Sequence, residues 1–329
     1  MSAPAVSVVI INWNGKEYLA CCLASLEAQT YRDFEIIIVD NGSTDGSVAF
    51  IRERFPEVRL ICNEHNLGFA RANNQGIAIA RGRYVAILNN DTQVEPQWLE
   101  ALVHAAETHP EIGAFASLVL FNDKRDTVDS AGLTVSVLGH GIQNLLGEGI
   151  AQVSGAREVF GVSATAALFR RALLQDVGVF DEDYFIYYED VDLAWRARLR
   201  GWCSLLVPQA VVYHAHSATT GRGSPFKKRL LTRNRLWTIA KDYHFPAIIF
   251  FLPLIVAFEV GFAVLSLIKG DVAVLTGLWQ GVIGLPGALR KRKLIQSTRK
   301  ASFKELAPLM HWFNSPFFAL RLHRRLGRL

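Results

Sequence analysis

Sulfur is scarce in this sequence, with 4 cysteines and 2 methionines in 329 residues. Cys21, Cys22, Cys62 and Cys203 show neither metal-ligand spacing nor a disulfide framework. That argues against a disulfide-stapled module and suits a reducing cytoplasm. The opening MSAPAVSVVIINWNG has no basic region ahead of its short apolar run, so no signal peptide is expected. No internal repeat is visible. Acids nearly vanish late in the chain: from Ser217 to Leu329 only Asp242, Glu259, Asp271 and Glu305 occur, against many Lys and Arg. The net charge of +5 is therefore unevenly spread. A basic segment that is also apolar points to an anionic membrane surface rather than to nucleic acid.

Hydrophobic residues make up 50% of the chain, and its length suits one large domain or two smaller ones. The β-branched run VSVVII (6–11) predicts a strand buried on both faces. Tyr18 to Gln29 repeats apolar residues at helical spacing. Strands are then predicted at 34–40, 58–63, 84–88 and 113–121, with helices over 47–55, 69–80 and 96–108 between them. Strands alternating with helices imply right-handed βαβ units and a mostly parallel, doubly wound sheet. From 122 to 158 the sequence is glycine-rich and weakly periodic, read as an irregular insertion facing the cleft. A loop becomes a helix near Glu189, and 203–216 holds further short strands.

Sheets of this kind bind ligands at the carboxyl ends of their strands. Polar residues gather there: Asn12 and Asn14, then Asp40 to Asp45, Asn63 to Asn66, and Asn89 to Asp91. Ordinary turn chemistry explains any one such loop equally well. Four on one edge favour a site. Asp40, at a strand end, can accept the imide N–H of uracil or thymine, and Ser43 or Asp45 can cap the next helix. Arg71, one turn into a helix that begins beside glycines, suits a phosphate, although a solvated arginine is an equal reading. Glu189, Asp190 and Asp192 crowd among aromatics. Like charges in a partly apolar setting raise at least one pKa, which suits a general base. Favourable charge at a helix N-terminus accounts for one of the three. His214 and His216 share a strand face. Each alone is more often structural, but with Asp91 one becomes a candidate metal ligand.

Taken together, VSVVIINWNG, IIIVDNGSTDGS, NLGFARANNQG, ILNNDT and YYEDVDLAWR resemble the inverting family 2 glycosyltransferases with the GT-A fold, over about residues 5–240. Within that family the chain is most similar to bacterial rhamnosyltransferase-like enzymes of cell-surface polysaccharide assembly. The resemblance implies an α/β, Rossmann-like, mostly parallel sheet. It implies that Asp40 binds the donor pyrimidine, with Asn12, Ser43, Arg71 and Asn90 lining the nucleotide-sugar pocket. NND at 89–91 falls where the family carries its Asp-x-Asp metal motif. Asp91 would then hold Mg²⁺ or Mn²⁺, with Asn89 an uncharged substitute for the first acid and His214 a further metal or diphosphate contact. Asp190, beside Glu189, would be the base of a single displacement, and Arg233 or Arg235 would stabilise the departing diphosphate.

TRNRLW (232–237) is similar to the Gln-x-x-Arg-Trp motif of processive synthases but lacks its glutamine. Addition of one or a few sugars to a lipid-linked or polysaccharide acceptor is therefore expected, from dTDP-rhamnose or a UDP-sugar. The division expected is a catalytic domain at 1–240 and a basic, hydrophobic helical tail at 241–329, held at the cytoplasmic face of the cell membrane. Residues 245–268 are long enough to span a bilayer, and 272–289 read as shorter and glycine-broken. A spanning hairpin and a pair of helices lying in the interface both fit, as does a buried pair in a soluble protein. Two competitors stand beside this reading. A nucleotidyltransferase would carry a basic glycine-rich loop after its first strand, where NWNGKEY has only Lys16. A non-catalytic binding protein would have lost the acidic trio or Asp91.

Overall fold

The computed structural model describes residues 3–215 and 224–311. It divides into two compact units, one of residues 1–133 and 143–219, the other of 134–142 and 220–329. The division falls earlier than residue 240, and a short hairpin joins the second unit.

The first unit opens with β1 (Val6–Asn12), α1 (Lys16–Glu27), β2 (Phe34–Asp40), α2 (Ser47–Arg54), β3 (Arg59–Cys62), α3 (Phe69–Ile79) and β4 (Tyr84–Asn89). Then come β5 (Thr92–Val94), α4 (Trp98–Thr108) and β6 (Ile112–Phe121). The stretch expected as irregular contains β7 (Val128–Ala131), then β8 (Leu133–Val135) and β9 (Gly141–Gln143), the hairpin that joins the second unit, and leads into β10 (Arg157–Val159). β11 (Ala166–Arg170), α5 (Arg171–Val177), α6 (Glu189–Leu199) and β12 (Cys203–His214) complete the unit.

Strand order is β10-β12-β6-β11-β4-β1-β2-β3, with β5 beside β12 and β7 beside β6. β3, β2, β1 and β4 run parallel, as do β6 and β12. Between β4 and β6 lies β11, antiparallel to both, which the sequence pattern did not show. Its apolar run is short and continues into a helix, so periodicity does not separate it. The residues predicted as several short strands form one long β12, whose register shifts between Val207 and Val211.

Alternation along β1 explains the layers. Val6, Val8 and Ile10 face a core with Leu19, Leu23, Ile51, Trp98 and Leu102, under α1, α2 and α4. Val9 faces the opposite core with Ile37, Ala70, Ile77, Leu173 and Leu193, under α3, α5 and α6. Helices therefore cover both sheet faces, and the β-branched strands are buried throughout. Parallel register then aligns the strand ends: Asn12 lies opposite Asp40, Ile11 opposite Asn89, and Asp40 opposite Cys62. One edge of the sheet receives every polar loop singled out in the sequence.

The second unit contains α7 (Pro225–Asp242), α8 (Phe245–Ile268), α9 (Val272–Ser297) and α10 (Phe303–Leu306). Ser224 caps α7 by accepting from Lys227 N. α9 is one unbroken helix of 26 residues, not the shorter, broken segment expected. Its glycines are contact points. A Cβ at Gly277 would lie 2.5 Å from Arg229 O, and one at Gly281 2.6 Å from Leu236. The missing side chains let α7 and α9 approach closely. α8 and α9 are both long and apolar enough to cross a membrane.

Candidate active site

At the end of β1, Asn12 is fully buried and joins three loops. Its Nδ2 donates to Asp40 Oδ2 at 2.9 Å and to Ser43 Oγ at 3.2 Å, while Oδ1 accepts from Asn90 Nδ2 at 2.8 Å. Gly15 makes that last bond possible, since a Cβ there would stand 2.2 Å from Asn90 Nδ2. Asp40 Oδ1 also accepts from Ser43 N at 2.9 Å. Each carboxylate oxygen keeps a second lone pair for a ligand. The N-cap of α2 is Gly46, not Ser43 or Asp45; Asp45, one residue ahead of it, accepts from Ser47 N and Lys16 N, and the pocket role stays open to Ser43. A second amide network braces these loops: Asn41 Oδ1 accepts from Asn63 Nδ2 and Leu67 N, and Asn41 Nδ2 donates to Asn66 Oδ1.

The NND turn is built by strand pairing. Asn89 N donates to Thr165 O at 2.9 Å, just ahead of β11, and Asn89 O accepts from Thr92 Oγ1. Among the described residues, Asn89 Oδ1 is buried without a hydrogen-bond partner. β5 pairs with β12 so that Thr92 faces His214, which brings the histidine beside Asp91. His214 Nε2 lies 3.3 Å from Asp91 Oδ1, and Nδ1 lies 2.6 Å from Asp129 Oδ2. Burial by itself would lower the His214 pKa, but hydrogen bonds to Asp129 and Asp91 outweigh it and lift it to about 10.

Asp129 was not anticipated. It is the extra residue of a β-bulge: Val119 pairs with Ser130 and Leu120 with Val128, leaving Asp129 between them. Bulges re-aim side chains near active sites, and this one points a carboxylate at His214. A lone acid in a polar stretch carries no sequence signal of that kind. His216 lies outside the described residues.

The acidic trio separates by environment. Asp192 is fully buried and bound to Arg196, whose guanidinium also donates to the carbonyls of Val177, Gly178 and Val179. That residue is structural. Asp190 accepts from Val191 N at 2.8 Å and from Ala164 N at 3.3 Å. Its pKa is raised, because burial outweighs those two donors. Ala164 sits next to Thr165, so β11 ties Asp190 to the end of β4 and the NND turn. Glu189 is buried with Oε2 unpartnered, and burial, followed by the nearby Asp190 charge, pushes its pKa well above the carboxylate range. Three residues ahead of α6 hold left-handed backbone without being glycine: Phe185 (φ 66°), Tyr187 (φ 69°) and Tyr188 (φ 72°). Such strain is concentrated at functional sites, at on the order of 1–3 kcal/mol each.

Arg71 is exposed and lies 3.8 Å from Glu182. The N–H of Ala70, in the first turn of α3, donates to Phe185 O, so protein occupies part of the expected phosphate site. Arg233 and Arg235 belong to the second unit. Arg233 stacks on Trp237 with 4.3 Å to the ring centroid and donates to Asn234. Arg235 is buried against Glu259, Leu138 O and Phe258, so it is committed to the fold of that unit and not to a diphosphate.

The donor set suits a divalent cation. Among the described residues no three His, Cys, Asp or Glu side chains gather as metal ligands. Asp91 and His214 Nε2 nonetheless face each other, Asn89 keeps an unsatisfied oxygen nearby in the chain, and Asp129 holds the far ring nitrogen. A carboxylate on the opposite nitrogen is the usual support of a metal-binding imidazole.

Residues 7–178 match the model of glycosyl transferase family 2. This chain belongs to that family. It is 33% identical over 238 residues to the N-acetylglucosaminyl-diphospho-decaprenol L-rhamnosyltransferase of Mycobacterium tuberculosis, covering 65% of this chain and 77% of that protein. It is also 30% identical over 227 residues to the O-antigen biosynthesis protein RfbC of Myxococcus xanthus, covering 66% of this chain and 18% of that one. The glycosyltransferase is thus rhamnosyltransferase-like. Its fold is similar to S. aureus TarS 1–349 in complex with UDP-GlcNAc (TM-score 0.57, 18% identity, 89% of this chain and 90% of that one). It is similar too to the mannosyltransferase PcManGT of Pyrobaculum calidifontis in complex with GDP-Man and Mn²⁺ (TM-score 0.54, 18% identity, 98% and 80%). The GT-A architecture expected from the sequence is the architecture present.

Proposed function

We propose that this family 2 glycosyltransferase moves a sugar, rhamnose from dTDP-rhamnose or a hexose from a UDP-sugar, to a hydroxyl of a lipid-linked acceptor with inversion. The observation that carries the proposal is one sheet edge holding three groups in sequence. The Asn12–Asp40–Ser43 network receives the base and ribose, the Asp91–His214 pair receives the diphosphate, and Asp190 faces the acceptor. The name of the mycobacterial relative, which acts on a diphospho-decaprenol sugar, supports the acceptor class.

The acceptor oxygen attacks the anomeric carbon as the bond from that carbon to the diphosphate oxygen breaks. Asp190 takes the hydroxyl proton, and the nucleoside diphosphate leaves with the bonding pair. A carboxylate of raised pKa is a better proton acceptor, and the backbone donors Ala164 and Val191 keep it oriented. Asp91, His214 Nε2 and Asn89 would hold Mg²⁺ or Mn²⁺. When bound, the cation neutralises charge on the leaving diphosphate. Asp40 accepts the pyrimidine imide, and Asn90, locked by Asn12, sets the floor of the pocket.

The test is a donor screen against a polyprenyl-diphosphate-sugar pool, with products identified by mass spectrometry. Transfer from a dTDP- or UDP-sugar is expected. Asp190→Asn should lower kcat by about 10²–10⁴-fold while UDP or dTDP binding survives. Near-normal turnover by that variant removes Asp190 as the base.

A further inference from the structure

Helices α8 and α9 can each span a bilayer by length, yet the contacts inside the second unit decide against it. α7 lies along α9 for its whole length and meets α8 through Arg235 and Glu259. At one end Lys228 Nζ meets Asp271 Oδ2, in the turn between α8 and α9, at 2.5 Å. In the middle Arg235 is paired with Glu259 of α8. At the other end Arg292 Nη1 of α9 donates to Tyr243 O at 2.6 Å, and Gln296 Nε2 to Asp242 O at 2.9 Å. If the α8–α9 hairpin crossed the hydrocarbon, α7 would cross with it. α7 carries Lys227, Lys228, Arg229, Arg233, Arg235, Lys241 and Asp242. Arg233 and Arg235 fall at the middle of α7, where insertion scales penalise a charge most, and the charges toward its two ends add to that cost.

Chain connectivity gives an independent reason. The hairpin 134–142 packs from the middle to the far end of α7: Leu138 O accepts from Arg235, and Ser136 O accepts from Tyr243 Oη at 2.6 Å. The residues on either side, Leu133 and Gln143, both belong to the catalytic unit, which ends at Thr219, shortly before α7 begins at Pro225. A bilayer core of about 30 Å takes roughly 9–11 extended residues to cross once. A nine-residue excursion cannot cross it and return.

We infer that α7, α8 and α9 form an in-plane wedge that rests on an anionic bilayer, with the α8–α9 turn on the side from which the chain enters. The lipid-facing surface is legible. On α9 the face of Val274, Gly277, Gly281 and Ala288 is buried, while Trp279, Val282, Ile283 and Leu294 are exposed on the other. α8 is apolar around its circumference, and 11% of its most apolar stretch is buried inside the protein. Arg290, Lys291 and Lys293 follow on α9, so apolar surface and cations reach the headgroup region together.

This inference deepens the proposal of a lipid-linked acceptor, and the experiment separates the two. Full-length Lys269→Cys is expressed, and right-side-out and inside-out membrane vesicles are treated with an impermeant maleimide. Labelling is read peptide by peptide, at the thiol introduced in the α8–α9 turn and at the exposed Cys62 of the catalytic unit. Both should label in the same vesicle orientation. Labelling in opposite orientations overturns the wedge and establishes a spanning hairpin. Purified chain should also float with phosphatidylglycerol-containing vesicles about tenfold more than with neutral ones. Absence of flotation with either rejects membrane binding itself, whereas sugar transfer to a soluble acceptor analogue reports on the activity alone.

Discussion

His214 faces a carboxylate from each ring nitrogen, and only one of the two was visible in the sequence. Asp91 stood out because an apolar strand stops at it. Asp129 did not, because its role depends on a bulge that pairing of β7 with β6 creates. With Nδ1 bound to Asp129, Nε2 is left to face Asp91, where the proposed cation would be held. Asp129→Ala should therefore raise the Mn²⁺ dissociation constant, measured by electron paramagnetic resonance with UDP present, by about 10–100-fold. An unchanged constant would leave Asp129 a residue of the fold only. The acidic trio was legible as a cluster, but its division of labour was not. Arg196 lies one turn beyond Asp192 and takes that acid out of the chemistry, whereas Asp190 meets only backbone donors among its identified contacts.

Among the elements, the strands β1, β2, β4 and β6 were read almost to the residue, since buried β-branched runs have few alternatives. β11 was missed, and with it the link from the NND turn to Asp190. The α9 glycines were read as helix breakers, yet they are the face on which α7 lies. A Cβ at Gly277 meets backbone, whereas one at Gly261 of α8 meets nothing within 4 Å. Gly277→Ala should cost about 1–3 kcal/mol through overpacking, while Gly261→Ala should stabilise by up to about 1 kcal/mol. Hydrogen exchange of the peptides over 225–242 and 272–297 distinguishes them. It should rise in the first variant and not in the second. Equal exchange in both would mean that the α7–α9 contact carries little stability.

At the scale of the whole sheet, the proposed site and the Glu35 ion-pair network occupy opposite edges. At the amino-terminal edge Glu35 binds Ser7 Oγ at 2.7 Å, Arg81 Nε at 2.9 Å and Arg59 Nη1 at 3.2 Å, tying β1, β2 and β3 together. Burial alone would raise its pKa, but the Arg81, Ser7 and Arg59 hydrogen bonds prevail and lower it to about 2. A carboxylate depressed on folding stabilises the protein above its unfolded pKa and loses that contribution as pH falls through the folded value. Melting curves of the full chain and of Glu35→Gln should differ by on the order of 2 kcal/mol at pH 7, allowing for the exposed arginines. The difference should shrink between about pH 4.5 and pH 2. A pH-independent difference would assign the effect to packing rather than charge.

By itself the sequence determined the doubly wound sheet, the polar edge and the family, because hydrophobic periodicity and strand-end loops are local properties of the chain. Tertiary structure alone decided that Asp192 is locked in an ion pair, where Asp129 and β11 enter, and why Arg235 is unavailable. Those outcomes depend on strand register and burial between residues far apart in sequence. The tail shows the same division. Its hydrophobic length allowed a spanning hairpin, whereas the in-plane wedge we infer rests on the charged α7 packed along α9.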